Sequence, residues 1–454
     1  MIHRYRYGGE NIVIDVPSGS IHLVDDLAYR LLANDDYHLV TDEIRQDFSA
    51  EQIDQAIGEL DELKESGLLH SVDQTKQIVD RFPKRSDIKA ICLHVAHDCN
   101  LRCDYCFASS GDYQGSRELM SLETGQKALK FLCQHSGQRY QLEVDFFGGE
   151  PLMNWPVVKQ LVAYGRQLEP IYHKKFRFTL TTNGLLLDDE IEDFLHREMS
   201  NVVLSIDGRK PTNDRVRKTL NNKSSYDIIV PKFQRFIKGR GDKQYYVRGT
   251  FTAHELAFSQ DVEHLHQLGF KELSMEPVVA KPGEPYALTE EHLPRLLQEY
   301  ERLAQTMLEA YNTDDEFRFF HFEIDLAGGP CAVKKAGGCG AGIEYLAITP
   351  SGELYPCHQF VGDEQFLLGD LDQGIIYPER RNRFNHLSVF DKPDCQNCWS
   401  KYYCSGGCHA NAFNFNADLT VPYRLACELE RKRVELAIYL AIKKMEVDRA
   451  TQVS

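Results

Sequence analysis

At 454 residues, with 42% hydrophobic and 26% charged side chains, the chain is long enough for about two to four domains and ordinary for a globular protein. Its formal net charge of -16 disfavours nucleic acid and anionic membranes as general partners, since both need clustered cations. No apolar run approaches a membrane span and the start Met1-Ile-His-Arg-Tyr-Arg lacks a secretory core, so the expected location is cytoplasmic and the 13 Cys are expected as metal ligands rather than disulfides.

Residues 1–75 read as a small front module. Ile12, Ile14 and Val16 alternate, Pro17-Ser18-Gly19 turns the chain, and Ile21 and Leu23 alternate again, which is the pattern of a hairpin. Helical patterns follow over about 25–34, 41–48 and 50–66, the last opened by a capping box from Ser49 to Gln52. Two strands and three short helices predict a winged-helix-like module. A DNA-binding role conflicts with the helix from Glu51 to Glu65, which sets Glu51, Asp54, Glu59, Asp61, Glu62 and Glu65 against Lys64 and would repel phosphates. The hairpin edge suits strand addition by an extended peptide; a plain packing module is the alternative. Residues 76–87 are polar and weakly patterned and read as a linker.

From 88 to 325 strand-like runs alternate with helical ones. Strands are expected near 89–96, 141–147, 176–182, 201–206, 245–252 and 270–276, with amphipathic stretches such as Val158, Leu161 and Val162 between them. Six β/α repeats predict an α/β fold with a parallel sheet, an open barrel or a doubly wound sheet, whose ligands gather at the carboxyl ends of the strands. The unusual residues fall there. Cys99-Asn-Leu-Arg-Cys103-Asp-Tyr-Cys106-Phe107 follows the first strand, Gly148-Gly149-Glu150-Pro151 the second and Thr182-Asn183-Gly184 the third. Ser205-Ile-Asp207-Gly208 closes the fourth, a basic loop with Arg209, Lys210, Arg215, Arg217 and Lys218 comes next, and Arg248 lies on the fifth. A long helix is expected over 289–311.

Three thiolates spaced x3 then x2 can hold three irons of a 4Fe-4S cubane and leave the fourth without a protein ligand; zinc fits three Cys without a nearby fourth poorly. The segment 326–454 holds the other dense group: Cys331, Cys339, Cys357, Cys395, Cys398, Cys404, Cys408 and Cys427, enough for two further cubanes or two zinc sites. Cys92 on an apolar strand and Cys133 on a helix face read as core residues, and His94 and His97 as packing beside the first Cys loop. Trp399 and Tyr402-Tyr403, between thiols, read as aromatic cover.

The C-x3-C-x2-C loop, with Tyr105 and Phe107 flanking its last Cys, resembles the signature of radical S-adenosylmethionine (SAM) enzymes. The resemblance implies that Cys99, Cys103 and Cys106 hold the active cluster and that its open iron chelates SAM, which one electron splits into methionine and a 5'-deoxyadenosyl radical. Candidate SAM contacts are Gly148, Gly149 and Glu150 at one turn, Asn183, Ser205 and Asp207 for ribose or carboxylate, and Arg217 and Arg248 as cations. The run C-x12-G-x4-C, then C-x2-C-x5-C-x3-C, then C, resembles the SPASM extension of peptide- and protein-modifying radical SAM enzymes. That implies a partial (β/α)6 barrel, one auxiliary cluster on Cys395, Cys398, Cys404 and Cys427, and another on Cys339, Cys357 and Cys408. Cys331 either completes the second set or leaves an iron open for a substrate thiolate.

Asn11-Ile-Val-Ile-Asp-Val, Gly19-Ser-Ile-His-Leu-Val-Asp-Asp, Ser205-Ile-Asp-Gly-Arg, Cys339-Gly-Ala-Gly and Tyr355-Pro-Cys-His-Gln-Phe together resemble the thioether-forming maturases of six-cysteine (SCIFF) peptides. This implies a front module that recognises the leader of a ribosomally made precursor, three 4Fe-4S clusters with SAM, and a flavodoxin- or ferredoxin-like one-electron donor. The product would be a bond from a Cys sulfur to a substrate carbon. No acid or base is required, so Asp207 and Glu276 are expected as structural or cofactor-contacting groups. The competing expectations are a formylglycine-forming sulfatase-maturing enzyme and, from another class, a non-catalytic zinc-binding winged-helix regulator.

Overall fold

Ile12, Val13 and Ile14 are all fully buried, although a strand with one wet face buries only every second residue. The computed structural model, which describes residues 1–82, 86–113, 115–281, 283–324, 326 and 332–453, supplies the reason. Strands β1 (Ile2–Tyr7), β2 (Glu10–Asp15) and β3 (Ser20–Leu23) form an antiparallel sheet in the order β1-β2-β3, covered on both faces. Val13 packs against Leu27, Leu31, Ile44 and Ile53 of helices α1 (Asp26–Leu31), α2 (Asp42–Asp47) and α3 (Ala50–Glu65). Ile12 and Ile14 pack on the other side against Val434, Ile438 and Ile442 near the C-terminus. The hairpin, the helices and the Ser49–Gln52 capping box match the sequence reading. Strand β1 does not: His3, Arg4 and Arg6 hide its pattern, and only its pairing with β2 makes it a strand. A short helix, α4 (Thr75–Arg81), lies within the polar stretch read as linker.

The barrel begins with β4 (Ala90–Ala96), whose seven residues are all buried, and continues through the short β5 (Leu101–Cys103) and α5 (Leu122–His135). Next come β6 (Gln141–Gly148), α6 (Trp155–Tyr172), β7 (Lys175–Thr182), α7 (Asp189–Glu198) and β8 (Asn201–Ser205). Then follow α8 (Lys210–Val216), β9 (Arg217–Thr219), α9 (Tyr226–Arg240), β10 (Gln244–Phe251), α10 (Phe258–Gln267), β11 (Glu272–Pro277), α11 (Leu293–Ala310) and β12 (Arg318–Phe319). Strands β4, β6, β7, β8, β10 and β11 are parallel neighbours in that order, the partial barrel that six β/α repeats demand. Their outward residues, among them Leu93, Val95, Phe146, Phe178, Leu204, Val247 and Leu273, share one core with the helices. Strands β5 and β9 pair separately, tying the Cys loop to the chain after β8.

The C-terminal part continues the same sheet. After α12 (Ala332–Gly337), β13 (Tyr345–Ile348) runs parallel to β4, and β14 (Glu353–Tyr355), β15 (Gly369–Asp370) and β16 (Gly374–Ile375) follow antiparallel. Cys92, on the inner face of β4, therefore packs with Ala347, Tyr355 and Phe360 in a core, as expected of it. Helices α13 (Pro378–Phe384), α14 (Pro393–Gln396), α15 (Lys401–Cys404) and α16 (His409–Asn416) follow, with Cys395 on α14, Cys404 on α15 and Cys408 capping α16, and α17 (Arg424–Val453), which carries Cys427, comes last. Helix α17 packs on α11 and covers the front sheet: Tyr5 donates its hydroxyl to Glu435 O at 2.8 Å, and Lys443 pairs with Glu10. Among the described residues no helix is long and apolar enough to cross a membrane.

Candidate active site

The Cys loop is held by protein groups at every turn. Asp98 Oδ1 accepts the Cys99 N–H at 2.8 Å, the Asp104 N–H reaches Val216 O at 3.0 Å, and Cys103 stands opposite Arg217 in the β5–β9 pair. Tyr105 donates its hydroxyl to Asp207 Oδ2 at 2.7 Å, while Asp207 Oδ1 accepts the Thr250 N–H at 2.9 Å. Arg217 stands 3.0 Å from the same carboxylate, both side chains being nearly or fully buried. Both oxygens of Asp207 are thus committed to protein donors, and through them β8 and β10 fix the loop.

At the end of β6 the backbone itself closes in. A Cβ on Gly148 would collide with Ala96 O, and one on Gly149 with Asp98 O, so only glycines permit this approach to the chain entering the Cys loop. Glu150 accepts from the Leu152 N–H (3.1 Å), the Thr182 hydroxyl (2.7 Å) and the Asn183 N–H (2.8 Å), locking this turn to the end of β7; burial raises its carboxyl to about 7 against those hydrogen bonds. Asn183 Nδ2 then donates to Asn100 Oδ1 at 2.7 Å and lies 3.7 Å from Cys99 Sγ. Ser205 and Arg248 are direct partners across β8 and β10. All eight candidate contacts therefore fall on the strand-end face that carries the Cys loop. Lys210 and Lys218, by contrast, make surface ion pairs with Asp227 and Asp104.

Residues 93–258 match the Radical SAM superfamily. This segment is a radical SAM domain. Such a domain works with a 4Fe-4S cluster and SAM, and the residues present fit both. Burial pushes the Cys99 and Cys103 thiols up to about 12, with the Cys106 sulfur adding to both and Cys99 to Cys103, so as bare thiolates these two are costly and a polycation is what they lack. Leu101 N–H lies 3.4 Å from Cys99 Sγ, a donor suited to an ionised sulfur.

Comparison with curated proteins finds "Radical SAM cyclopropyl synthase TigE" of Paramaledivibacter caminithermalis, 26% identical over 35% of this chain and 36% of its own length. "Mycofactocin maturase MftC" of Mycolicibacterium smegmatis is 25% identical over 80% of this chain and 91% of its own. The chain thus spans about a third of the first relative and nearly all of the second. Among solved structures, anSMEcpe with bound AdoMet superposes with a TM-score of 0.67 over 79% of this chain and 99% of its own, at 19% identity. Streptococcus suis SuiB bound to precursor peptide SuiA gives 0.54 over 92% and 97%, at 16% identity. These likenesses show the partial-barrel fold.

Beyond the radical SAM domain the thiols fall into two groups. Cys395, Cys398, Cys404 and Cys427 line one cavity of about 220 Å³, together with Arg431 and Ser400. Burial pushes Cys404 up to about 12 and Cys427 to about 11, with the other sulfurs adding to both. Cys339, Cys357 and Cys408 form the second: burial raises Cys357, then Cys408 and Cys339 raise it further, and Cys339 acts likewise on Cys408. Cys331 lies outside the described residues. Among those described, no three His, Cys, Asp or Glu side chains converge as a single ion requires; the four thiols instead surround a space.

The sequence reading missed what α17, α11 and the turn after β12 bring to the barrel mouth. Arg433, nearly buried, donates to the Tyr300 hydroxyl at 3.0 Å and stands 3.9 Å from Glu276, which also faces His321 at 3.5 Å and Arg248 at 3.9 Å. Burial would raise Glu276, but His321, Arg433 and Arg248 outweigh it and hold the carboxyl below its usual value. The one signal available was a charged pair, Glu430 and Arg433, on an otherwise apolar helix face. His94 and His97 pack as expected, Nδ1 to Nε2 at 3.0 Å, around Tyr113.

Proposed function

We propose that the protein is a radical SAM peptide maturase that closes a thioether bond between a Cys sulfur and a carbon of a ribosomally made, Cys-rich precursor. What carries this reading is the joining, in one chain, of a three-stranded module with an open edge, a radical SAM domain and two further thiol groups. The likeness to a maturase over 80% of this chain, and to a protein solved with a precursor peptide over 92% of it, supports this reading.

In this reading Cys99, Cys103 and Cys106 hold the active cluster, Cys395, Cys398, Cys404 and Cys427 an auxiliary one, and Cys339, Cys357 and Cys408 the third. When bound, the active cluster and SAM supply one-electron cleavage of a carbon–sulfur bond and hydrogen-atom abstraction. Gly148 and Gly149 open the backbone to SAM, Asn183, Ser205, Arg217 and Arg248 offer it polar contacts, and Glu150 and Asp207 hold those groups in place. The front module takes the leader on the free edge of β3, and the Arg248–Glu276–Arg433 group lines the mouth through which the core peptide enters. Overall, one substrate C–H and one S–H are replaced by a C–S bond. SAM, when bound, would take up the hydrogen atom; the thiol proton would pass to solvent, and a cluster held by Cys395, Cys398, Cys404 and Cys427 or by Cys339, Cys357 and Cys408 would supply the acceptor for the remaining electron.

The test is the anaerobically reconstituted enzyme with SAM, dithionite and a small Cys-rich peptide that carries a leader. The expected product has lost two hydrogens per crosslink and one alkylatable thiol, as read by tandem mass spectrometry. A product that instead reacts with a hydrazide is an aldehyde and points to formylglycine. Replacing Cys99, Cys103 and Cys106 with Ala is expected to abolish deoxyadenosine; if SAM turnover persisted, the active centre would lie elsewhere.

A further inference from the structure

Lys392 lies three residues before Cys395, immediately ahead of α14, and is fully buried. A buried ammonium without a counter-charge costs several kcal/mol, yet among the described residues no Asp or Glu forms an ion pair with it. Its Nζ donates to Gly406 O at 2.6 Å and to His409 Nδ1 at 3.2 Å. His409 is buried as well, and because an ammonium has N–H donors and no lone pair, Nδ1 is the acceptor of this contact. An ammonium carries three N–H donors, and these two partners use two of them.

The partners mark the place. Gly406 stands between Cys404 and Cys408 in sequence, and His409 follows Cys408. Lys392 is therefore tied to the segment that passes from one thiol group to the other, while its own chain leads directly into Cys395. Burial lowers its value, and the groups that oppose this are the sulfurs of Cys395 and Cys404 from one set and of Cys408 and Cys339 from the other.

We propose that Lys392 is a shared counter-cation of the two auxiliary iron–sulfur sites, a single buried positive charge at their junction that stabilises both in their more negative, reduced forms. The proposal rests on the reading that both thiol sets hold clusters. Its physics is general: cluster potentials follow net charge, hydrogen bonds to sulfur and solvent exposure, and a fixed cation in a low-dielectric site favours the state with the extra electron. One residue then sets two potentials together, as suits a pair of centres that exchange electrons with a single substrate.

The experiment uses full-length, anaerobically reconstituted protein, with iron and sulfide counted and potentials read by EPR-monitored redox titration. In K392M both auxiliary midpoint potentials are expected to fall, while the centre on Cys99, Cys103 and Cys106 keeps its own; K392R is expected to retain all three. K392Q, which preserves a donor for Gly406 O without the charge, should behave like K392M. Wild-type potentials in K392Q would make Lys392 a hydrogen-bonding strut and overturn the proposal, as would a shift at only one auxiliary centre. If K392M loads poorly, loss of iron from both sets together with full loading of K392R supports the shared role, and loss from one set alone overturns it. Wild-type protein with only about four irons would remove the proposal by removing the auxiliary clusters themselves, a failure separable from unshifted potentials in a protein with about twelve.

Discussion

Asp207 joins three parts of the barrel mouth: Tyr105 within the Cys loop, Thr250 on β10, and Arg217 on β9. Asp207→Asn keeps the shape but removes the charge that faces a buried guanidinium, so the expected cost is about 3–5 kcal/mol, read from the denaturant midpoint. An unchanged midpoint would mean that Arg217 finds another partner. Gly149→Ala acts on the same loop from the other side, because its methyl would push Asp98 O, one residue before Cys99. Loss of SAM binding with iron content retained at Cys395, Cys398, Cys404 and Cys427 is the expected result, and binding at wild-type affinity would show that the approach of the two backbones is dispensable. The sequence gives these positions away because glycine pairs and Thr-Asn-Gly stand at strand ends. It gives no hint of His321 and marks Arg433 only through its charged neighbour Glu430; both reach Glu276 from later segments, and the Tyr300 hydroxyl accepts from Arg433.

Strand β3 is the element whose exposed side is open to a partner. Among the described residues it pairs with β2 on one edge alone, and Leu23 is among its exposed side chains. The Val24 N–H bonds Asn11 O at 3.1 Å, so by the alternation of an antiparallel ladder the Leu23 N–H points away from β2. Leu23→Pro deletes that outward donor, a change edge strands tolerate. Fluorescence anisotropy with labelled precursor is expected to show affinity falling about tenfold, or ~1.4 kcal/mol, with little change in melting temperature. Equal affinity would exclude leader addition at this edge. At this scale the periodicity in the sequence was sufficient wherever burial is one-sided or complete over five or more residues: six barrel strands and helix α3 lie where the pattern puts them. It failed for β1 and for β13 to β16, which are too polar or too short to carry a period and exist through their neighbours.

In the whole molecule α17 is the strut. Its first turn carries Cys427, its middle sends Arg433 to the barrel mouth, and its later turns cover the front sheet through Val434, Ile438 and Ile442. His3 of β1 stacks on Trp399 with ring centroids 3.7 Å apart, between the thiols Cys398 and Cys404, and Asp73 accepts the Tyr402 hydroxyl at 2.6 Å. The front module is thus built into the C-terminal part. Removing residues 1–75 is expected to strip one face of α17 and the cover over Trp399, lowering thermal stability and costing the iron at Cys395, Cys398, Cys404 and Cys427. A truncated chain with full iron content and unchanged melting would show the two parts to be independent.

The amino-acid order by itself determined the chemistry and the repeat: thiol spacing dictates which atoms a cluster can use, and a period of two alternating with one near 3.6 dictates a parallel barrel whose strand ends collect the unusual residues. Tertiary structure alone decided that a buried lysine lies at the junction of the two thiol groups and that the front sheet is covered by the last helix. The lysine's partners lie 14 and 17 residues away and the sheet and its cover 430 residues apart, and neither contact follows from a local hydrophobic period.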